Sequence, residues 1–299
     1  MSINKISPLF FFALVVSYVR VWPAPSSAKP QLDVTTRPWY HYIKEETPET
    51  KIPQINHFKL SNGIGVYFYP ADAVPLVTAQ IFIDGGGFEV ADDKLGLQTL
   101  WGDTVVFSGS ETMGRDTLSS YLEERASKFN FNAELDRSSF NVQSLAHYFE
   151  KDLRTLFSVI ENPRFENNDF ELLRTRLVKS LEKRDEDPSK WAALGLSQVY
   201  WKNTLRGRYA TIRTVKNIAR EDLTLWQKKL WRAERLTIAV SGSIDEKRLK
   251  TLLEETFGKM PYDKTQKADL SRLHVEPTFK PNSLYVLPKE IPQTTVLYK

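Results

Sequence analysis

The sequence predicts an α+β domain with an antiparallel sheet of about five to six strands flanked by helices. Short β-rich runs and helical patterns are interspersed along the chain, and tight turns join several of the runs. Because only antiparallel strands connect through such tight turns, the pattern favours this fold over a doubly wound parallel sheet. Hydrophobic residues make up 41% of the 299 residues, which is enough for a sizeable core.

The N-terminal 28 residues predict a secretory signal peptide. Lys5 supplies a positive charge before an apolar run over residues 6–19, and small residues follow up to Ala28, after which we expect cleavage. The run is too short for a comfortable membrane span, although an uncleaved membrane anchor is the alternative. No later segment is apolar enough to span a bilayer, so we expect no integral membrane anchor after cleavage. An exported chain without cysteine suits a bacterial periplasm.

The next segments alternate between period-two and helical patterns. Residues 29–55 lack a clear period and read as an extended leader, and a β-hairpin is then expected around the Asn62-Gly63 turn. Glycines at 85–87 end the next strand because the backbone needs freedom to turn there. The expected elements are the hairpin 58–69, strand 76–84, a buried helix 95–107, helix 116–128, strands 129–135 and 138–145, and helix 148–160.

The second half is mainly helical until one further strand. A long charged helix is expected to stop near Asp187-Pro188. This long helix covers residues 168–185, and further helices are expected at 191–201, 220–231 and 245–257, with a strand at 235–241. These elements close one domain, residues 56–262. A polar, proline-containing linker, 263–282, leads to 283–299, where two short strand patterns resemble the truncated start of a second, similar unit.

Composition excludes several classes of function. Without cysteine the chain has no disulfide, zinc ribbon or cysteine nucleophile. The formal charge of only +4 gives no indication of the strongly basic surface that is typical of nucleic-acid-binding proteins. No two of the four histidines, at 41, 57, 147 and 274, lie within four residues, so a helix cannot carry a zinc-binding pair. Ser108-Gly-Ser110 lacks a nucleophile-elbow context, and Gly85-Gly-Gly87 lacks the residues of a phosphate loop.

The order of several short motifs resembles the insulinase/pitrilysin family of zinc metallopeptidases, which includes the mitochondrial processing peptidases. The resemblance runs from about Phe58 to Met260. Its landmarks are Leu60-Ser-Asn-Gly63, Gly85-Gly-Gly-Phe-Glu89, Gly96-Leu97, Phe107-Ser-Gly-Ser110, Asn132-Ala133, Asn162-Pro-Arg-Phe165, Asp187-Pro188 and Ile238-Ala-Val-Ser-Gly-Ser-Ile-Asp245. The resemblance implies the first of the repeated α+β units that these proteins carry, with the residues from Ser283 beginning a second.

The chain departs from this family at the metal site. Active members carry His-x-x-Glu-His on the helix that starts at the Gly-Leu pair, where two histidines bind zinc and the glutamate activates water. Counted from Gly96, these positions are Thr99, Gly102 and Asp103, and residues 96–110 contain neither histidine nor glutamate. The further glutamate ligand falls at Lys179 or Ser180. We therefore expect no zinc and no other cofactor, and catalysis by this chain is uncertain, leaning to none.

The resemblance implies a role as a peptide-binding or non-catalytic partner subunit. Such homologues often pair with an active His-x-x-Glu-His subunit to enclose a peptide or unfolded polypeptide. Two alternatives remain open: an active zinc metalloendopeptidase with unconventional ligands, and a structural assembly subunit without a peptide role. In either case we expect residues Leu97, Leu100, Trp101 and Val105 to pack the core.

Overall fold

A computed structural model of the chain describes residues 54–263, 265, 267–273, 276 and 285–286, all of which belong to one compact unit. The expected signal peptide and all of the leader but residues 54 and 55 lie outside the described residues. So do the two strand patterns of 283–299, apart from 285 and 286. Along the described part of the chain, no helix combines the length and the apolar character needed to cross a bilayer.

Six strands form one sheet, which confirms the expected fold class. The strands are β1 (Asn56–Lys59), β2 (Gly65–Pro70), β3 (Leu76–Asp84), β4 (Lys128–Ala133), β5 (Arg137–Leu145) and β6 (Leu236–Gly242). Their order across the sheet is β1-β2-β6-β3-β5-β4. All neighbours are antiparallel except β2 and β6, which are parallel. The sheet is therefore mixed rather than purely antiparallel, because β6 returns through a long helical connection that imposes no direction.

Eight α-helices lie within the described residues. They are α1 (Leu97–Ser108), α2 (Arg115–Arg125), α3 (Phe149–Glu161), α4 (Asn167–Glu186), α5 (Pro188–Tyr200), α6 (Ile212–Lys216), α7 (Arg220–Leu230) and α8 (Glu246–Glu255). The Asp187 carboxylate caps α5 by accepting hydrogen bonds from the N–H groups of Ser189 and Lys190. The short helix α6 was not expected from the sequence, and neither was the 3₁₀ turn Leu270–Leu273, which lies within the expected linker.

One expected helix end was wrong. The amphipathic pattern predicted a helix to Lys128, but α2 ends at Arg125 because Ala126 adopts a left-handed conformation with φ of 52°. Its N–H then bonds the Glu123 carbonyl, and the chain turns directly into β4. Strand β4 consequently begins at Lys128, one residue earlier than the pattern indicated.

The core lies on one face of the sheet. Alternate residues of β3 are buried, in the order Val77, Ala79, Ile81 and Ile83. Helix α1 packs on this face with almost all of its length, and the four residues expected in the core, Leu97, Leu100, Trp101 and Val105, are buried. The low amphipathicity of this segment thus reflects a helix that is covered on most sides.

The other face of the sheet is polar, and we call it the open face. In one cross-strand row, side chains follow each other from one edge to the other: His57, Tyr67, Ala239, Gln80, Asn141 and Asn130. His57, Tyr67 and Asn130 are exposed, and the members between Tyr67 and Asn130 are half-buried. A sheet with one apolar and one polar face alternates along each strand, as β3 does.

A buried carboxylate ties the start of β4 to its neighbours. Asp152 on α3 has no exposed surface, and it accepts hydrogen bonds from Tyr121 Oη at 2.7 Å and Ser127 Oγ at 2.5 Å. Ser144 of β5 also donates to it. Three hydroxyl donors satisfy a charge that would otherwise be costly to bury. The cluster fixes the turn between α2 and β4 against β5 and α3.

Burial raises the pKa of Tyr121 to about 12, and this predicts an alkaline loss of stability. Between pH 10, the ordinary tyrosine value, and pH 12, the folded chain keeps a proton that the unfolded chain has lost, so stability falls as pH rises. Over this range, wild type should lose about 2 kcal/mol more than the Tyr121→Phe variant. Urea unfolding at stepped pH measures the difference, and equal slopes for both proteins would contradict it.

Candidate functional site

Helix α1 carries the three positions where the family's zinc motif would lie, and it is held firmly at its start. Gly96 precedes it with φ of 108°, a conformation that favours glycine, and a side chain there would meet Val215. Gln98 is buried, and its Nε2 donates to the Glu134 carbonyl at 2.9 Å and the Arg137 carbonyl at 3.0 Å. The helix is thus tied to the β4–β5 turn.

The three motif positions differ in their surroundings. Thr99 is half-buried, Gly102 is fully covered, and Asp103 is exposed. A Cβ atom built on Gly102 would lie 2.1 Å from Cδ1 of Phe131 and 2.2 Å from its Cε1. The ring of Phe131 therefore fills the space that a side chain at position 102, where we expect the glutamate of the motif to fall, would need.

Aromatic contacts hold the Phe131 ring in this position. It meets the Trp101 ring edge to face at a centroid distance of 5.4 Å and the Phe140 ring at 4.9 Å. Trp101 Nε1 in turn donates to Gln227 Oε1 at 2.7 Å, which anchors the indole to α7. Phe131 was not singled out from the sequence, because its contact with Gly102 depends on how closely β4 approaches the helix. The only nearby signal was Asn132-Ala133, the motif beside it.

The positions proposed for the further ligand lie on α4 and are both exposed: Lys179 and Ser180. At 100° per residue, Ser180 lies on the same stripe of α4 as Leu173 and Leu177, whereas Lys179 is turned away by about 120°. Leu177 approaches Gly96 at the start of α1. The helical face that looks toward α1 therefore presents leucines and a serine.

These residues do not fit a zinc ion. Among the described residues, no group of three or more histidine, aspartate or glutamate side chains could hold a metal. His57 lies against the Tyr67 ring at 4.6 Å and His147 against the Tyr148 ring at 3.7 Å, and both are exposed. His41 and His274 lie outside the described residues. Asp103 is the one carboxylate at the motif positions, and one carboxylate does not make a zinc site.

A groove opens beside α1. Its volume is about 550 Å³, and it is bounded by α1, α2, Leu173 of α4, and β4. The apolar residues that line it are Val106, Phe107, Leu118, Leu122, Phe129, Phe131 and Leu173. Asp103 lies in the same concave surface, where loss of solvation raises the pKa of its carboxyl above the ordinary value.

Strand β4 forms one wall of this groove and one edge of the described sheet. The N–H of Glu134 bonds the Arg137 carbonyl at 2.9 Å, so this pair is hydrogen-bonded across the β4–β5 turn. Hydrogen-bonded pairs alternate along an antiparallel ladder. Phe129, Phe131 and Ala133 consequently direct their N–H and carbonyl groups toward the free edge. The groove therefore lies beside backbone groups that are free to pair with another strand.

Two family models match the chain. The model described as "Insulinase (Peptidase family M16)" matches residues 69–210, and that described as "Peptidase M16 inactive domain" matches residues 217–298. Among curated proteins, the chain is 21% identical over 217 residues to mitochondrial-processing peptidase subunit beta of Saccharomyces cerevisiae, covering 72% of this chain and 47% of that protein. It is 22% identical over 193 residues to "Non-peptidase homolog YmxG" of Helicobacter pylori, covering 64% and 44%.

Solved structures show the same fold. A peptidase M16 inactive domain from Pseudomonas fluorescens superposes with a TM-score of 0.64 at 16% identity, over 70% of this chain and 52% of that one. The periplasmic protease PqqL from Escherichia coli gives 0.63 at 18% identity, over 71% and 25%. The chain spans about half the length of the curated relatives that it matches.

The contact between Gly102 and Phe131 predicts an unusual pair of mutational effects. Replacing glycine by alanine inside a helix normally stabilises by about 1 kcal/mol. Here Gly102→Ala should destabilise by about 1 to 3 kcal/mol, because the methyl group overlaps the Phe131 ring. In a Phe131→Ala background, the same substitution should become stabilising, since the ring is gone. Chemical unfolding of the four proteins in the cycle measures this, and additive effects would contradict it.

Proposed function

Because the chain belongs to the insulinase family of peptidases, M16, and fills the zinc-site positions with other residues, we propose that it is a non-catalytic subunit that binds peptide and assists a zinc-containing relative. The Phe131 ring over Gly102 is the observation that carries this proposal, since it leaves no room for the catalytic glutamate. An apolar groove lies beside this ring, although the metal ligands of the family are absent from the chain.

The free edge of β4 supports peptide binding by strand addition. An extended peptide can bond the outward N–H and carbonyl groups of Phe129, Phe131 and Ala133, and its side chains then contact the groove. Because those bonds involve main-chain atoms only, they provide affinity without strong sequence selection. A subunit of this kind holds a polypeptide in extended form, and the chemistry takes place on a partner.

The partner is proposed to be an active His-x-x-Glu-His member of the family. The relatives support this: one is a subunit of a processing peptidase, and another is a non-peptidase homologue. Export to the periplasm is proposed from the signal-like residues 1–28 and finds support in the periplasmic neighbour PqqL. We propose no nucleic acid as a partner.

Strand addition predicts a selective effect of proline at Ala133. The Ala133 N–H points to the free edge, so Ala133→Pro removes one donor to the peptide but no bond of the β4–β5 ladder. Loss of one hydrogen bond of about 1 kcal/mol should weaken binding of an extended peptide roughly fivefold. Ala133→Val keeps the donor and is the matched control. Fluorescence anisotropy measures both, and equal affinities with an intact fold would contradict strand addition.

Reconstitution separates the proposal from its alternatives. Mixing the purified chain with a His-x-x-Glu-His family member of the same organism should raise cleavage of a fluorogenic peptide, up to a fixed stoichiometry. If the chain alone holds a full equivalent of zinc after dialysis and cleaves peptides, it is an active peptidase with unconventional ligands; less than about a tenth of an equivalent excludes that alternative. A stable complex without any effect on cleavage or peptide binding would indicate a structural assembly subunit.

A further inference from the structure

The two sides of the free β4 edge differ in chemistry, and this difference bears on which peptides it takes. Alternate residues of β4 point to opposite faces of the sheet. Phe129 and Phe131 alternate with Asn130 and Asn132 along the strand, and both phenylalanines line the groove. Asn130 and Asn132 are exposed on the open face, and Asn130, at the sheet edge, also borders the groove. A strand added at this edge would therefore place alternate side chains in two different environments.

The groove side is apolar and partly exposed. Val106 and Phe107 of α1 and Leu122 of α2 are half-buried in its wall, and Leu173 is 9% exposed. Arg115 and Asp116, at the α2 end, pair with each other, with Nε and Oδ1 3.0 Å apart. An apolar side chain placed against Phe129, Phe131 and Leu173 removes further apolar surface from water. The charged and hydroxyl groups of the lining, those of Asp103, Arg115, Asp116 and Ser119, all belong to the helices rather than to β4.

The open-face side is polar and mostly uncharged. Carboxamides follow each other across three strands up to the edge, in the order Gln80, Asn141 and Asn130. Asn132 lies beside this row and donates to Glu134 Oε1 at 3.0 Å. The charged side chain on this side of β4 is Lys128, at its first residue. Carboxamides both donate and accept, so they complement amide and hydroxyl side chains of a neighbouring strand.

We propose that the β4 edge selects extended, antiparallel peptides whose side chains alternate between apolar and uncharged polar over about six residues. The proposal rests on the function proposed above and specifies its ligand. Side chains directly opposite each other across a ladder share a face. Residues paired with Phe129, Phe131 and Ala133 therefore enter the groove and are apolar, and those paired with Asn130 and Asn132 lie beside the carboxamides and are polar.

The backbone and side-chain patterns are coupled. In an antiparallel pair, two opposite residues exchange both of their hydrogen bonds or neither. Because Phe129, Phe131 and Ala133 direct their backbone groups outward, the peptide residues opposite them use their own N–H groups to bond β4. The apolar residues of the peptide thus supply the backbone donors, and the polar residues direct theirs away. In a parallel arrangement this assignment would be reversed.

Synthetic peptides test the pattern. One fluorescein-labelled peptide alternates valine or leucine with threonine or asparagine, and a second has the same composition in two blocks. The alternating peptide should bind at least about tenfold more tightly by anisotropy. N-methylation of its apolar residues should weaken binding about tenfold, whereas N-methylation of its polar residues should change it little. The opposite N-methylation result would overturn the proposed orientation and register.

A pair of protein variants tests the open-face contacts. Asn130→Lys adds a positive charge beside the peptide's polar positions, so it should improve binding of an alternating peptide with aspartate at those positions by several-fold. His57→Lys adds the same charge in the same cross-strand row at the opposite edge of the sheet, and it is expected to leave that affinity unchanged. Equal gains, or no gain in either variant, would overturn the open-face placement.

The outcomes separate this proposal from the function on which it rests. If both the alternating and the block peptide bind equally and Ala133→Pro weakens both, strand addition stands and selection by alternating polarity is overturned. If neither peptide binds the intact chain, the proposed peptide binding is overturned, and so is the proposed selection of peptides with alternating polarity. Tighter binding of the alternating peptide that is lost in Ala133→Pro supports both.

Discussion

The close approach of β4 to the backbone of α1 is the constraint on which this part of the molecule depends. Glycine at 102 allows the Phe131 ring to lie against the helix, and Trp101 and Phe140 hold the ring from two sides. The same contact leaves no room for a side chain at position 102, closes the core under the sheet edge and forms part of the wall of the groove. The packing of β4 and the glycine at this position therefore depend on each other.

Polar side chains tie this arrangement to the remainder of the domain. Gln98 fixes the β4–β5 turn at one end of β4, and Asp152 fixes the α2–β4 turn at the other. Arg208 performs a similar role for the glycine-rich segment after β3, since its Nη2 donates to the carbonyls of Gly87 at 3.0 Å and Phe88 at 2.7 Å. Side-chain hydrogen bonds of this kind, to specific backbone carbonyls and hydroxyls, specify geometry more than they add net stability. Because both ends of β4 are fixed, its free edge is a rigid template.

Much of the fold could be predicted from local pattern. The alternation in β3 and the apolar spacing in α3 and α8 reflect burial on one side, which periodicity reports directly. The parallel pairing of β2 with β6 could not be predicted, because a connection of many helices leaves strand direction open. The end of α2 at Ala126 was missed since alanine rarely adopts a left-handed conformation. At the site, the absence of the zinc ligands could be seen in the sequence. The contact between the Phe131 ring and Gly102 could not be predicted, because it depends on the distance in space between two residues that lie 29 positions apart in the chain.

The glycine at 102 also has a historical consequence. A single change to glutamate at this position meets the Phe131 ring, and a single change that removes the ring leaves a void beside Trp101. Each step alone costs stability, so a glutamate and the room for it would have to arise together. Selection for a well-folded domain is therefore enough to preserve the glycine and the ring as a pair, independently of any role of the chain.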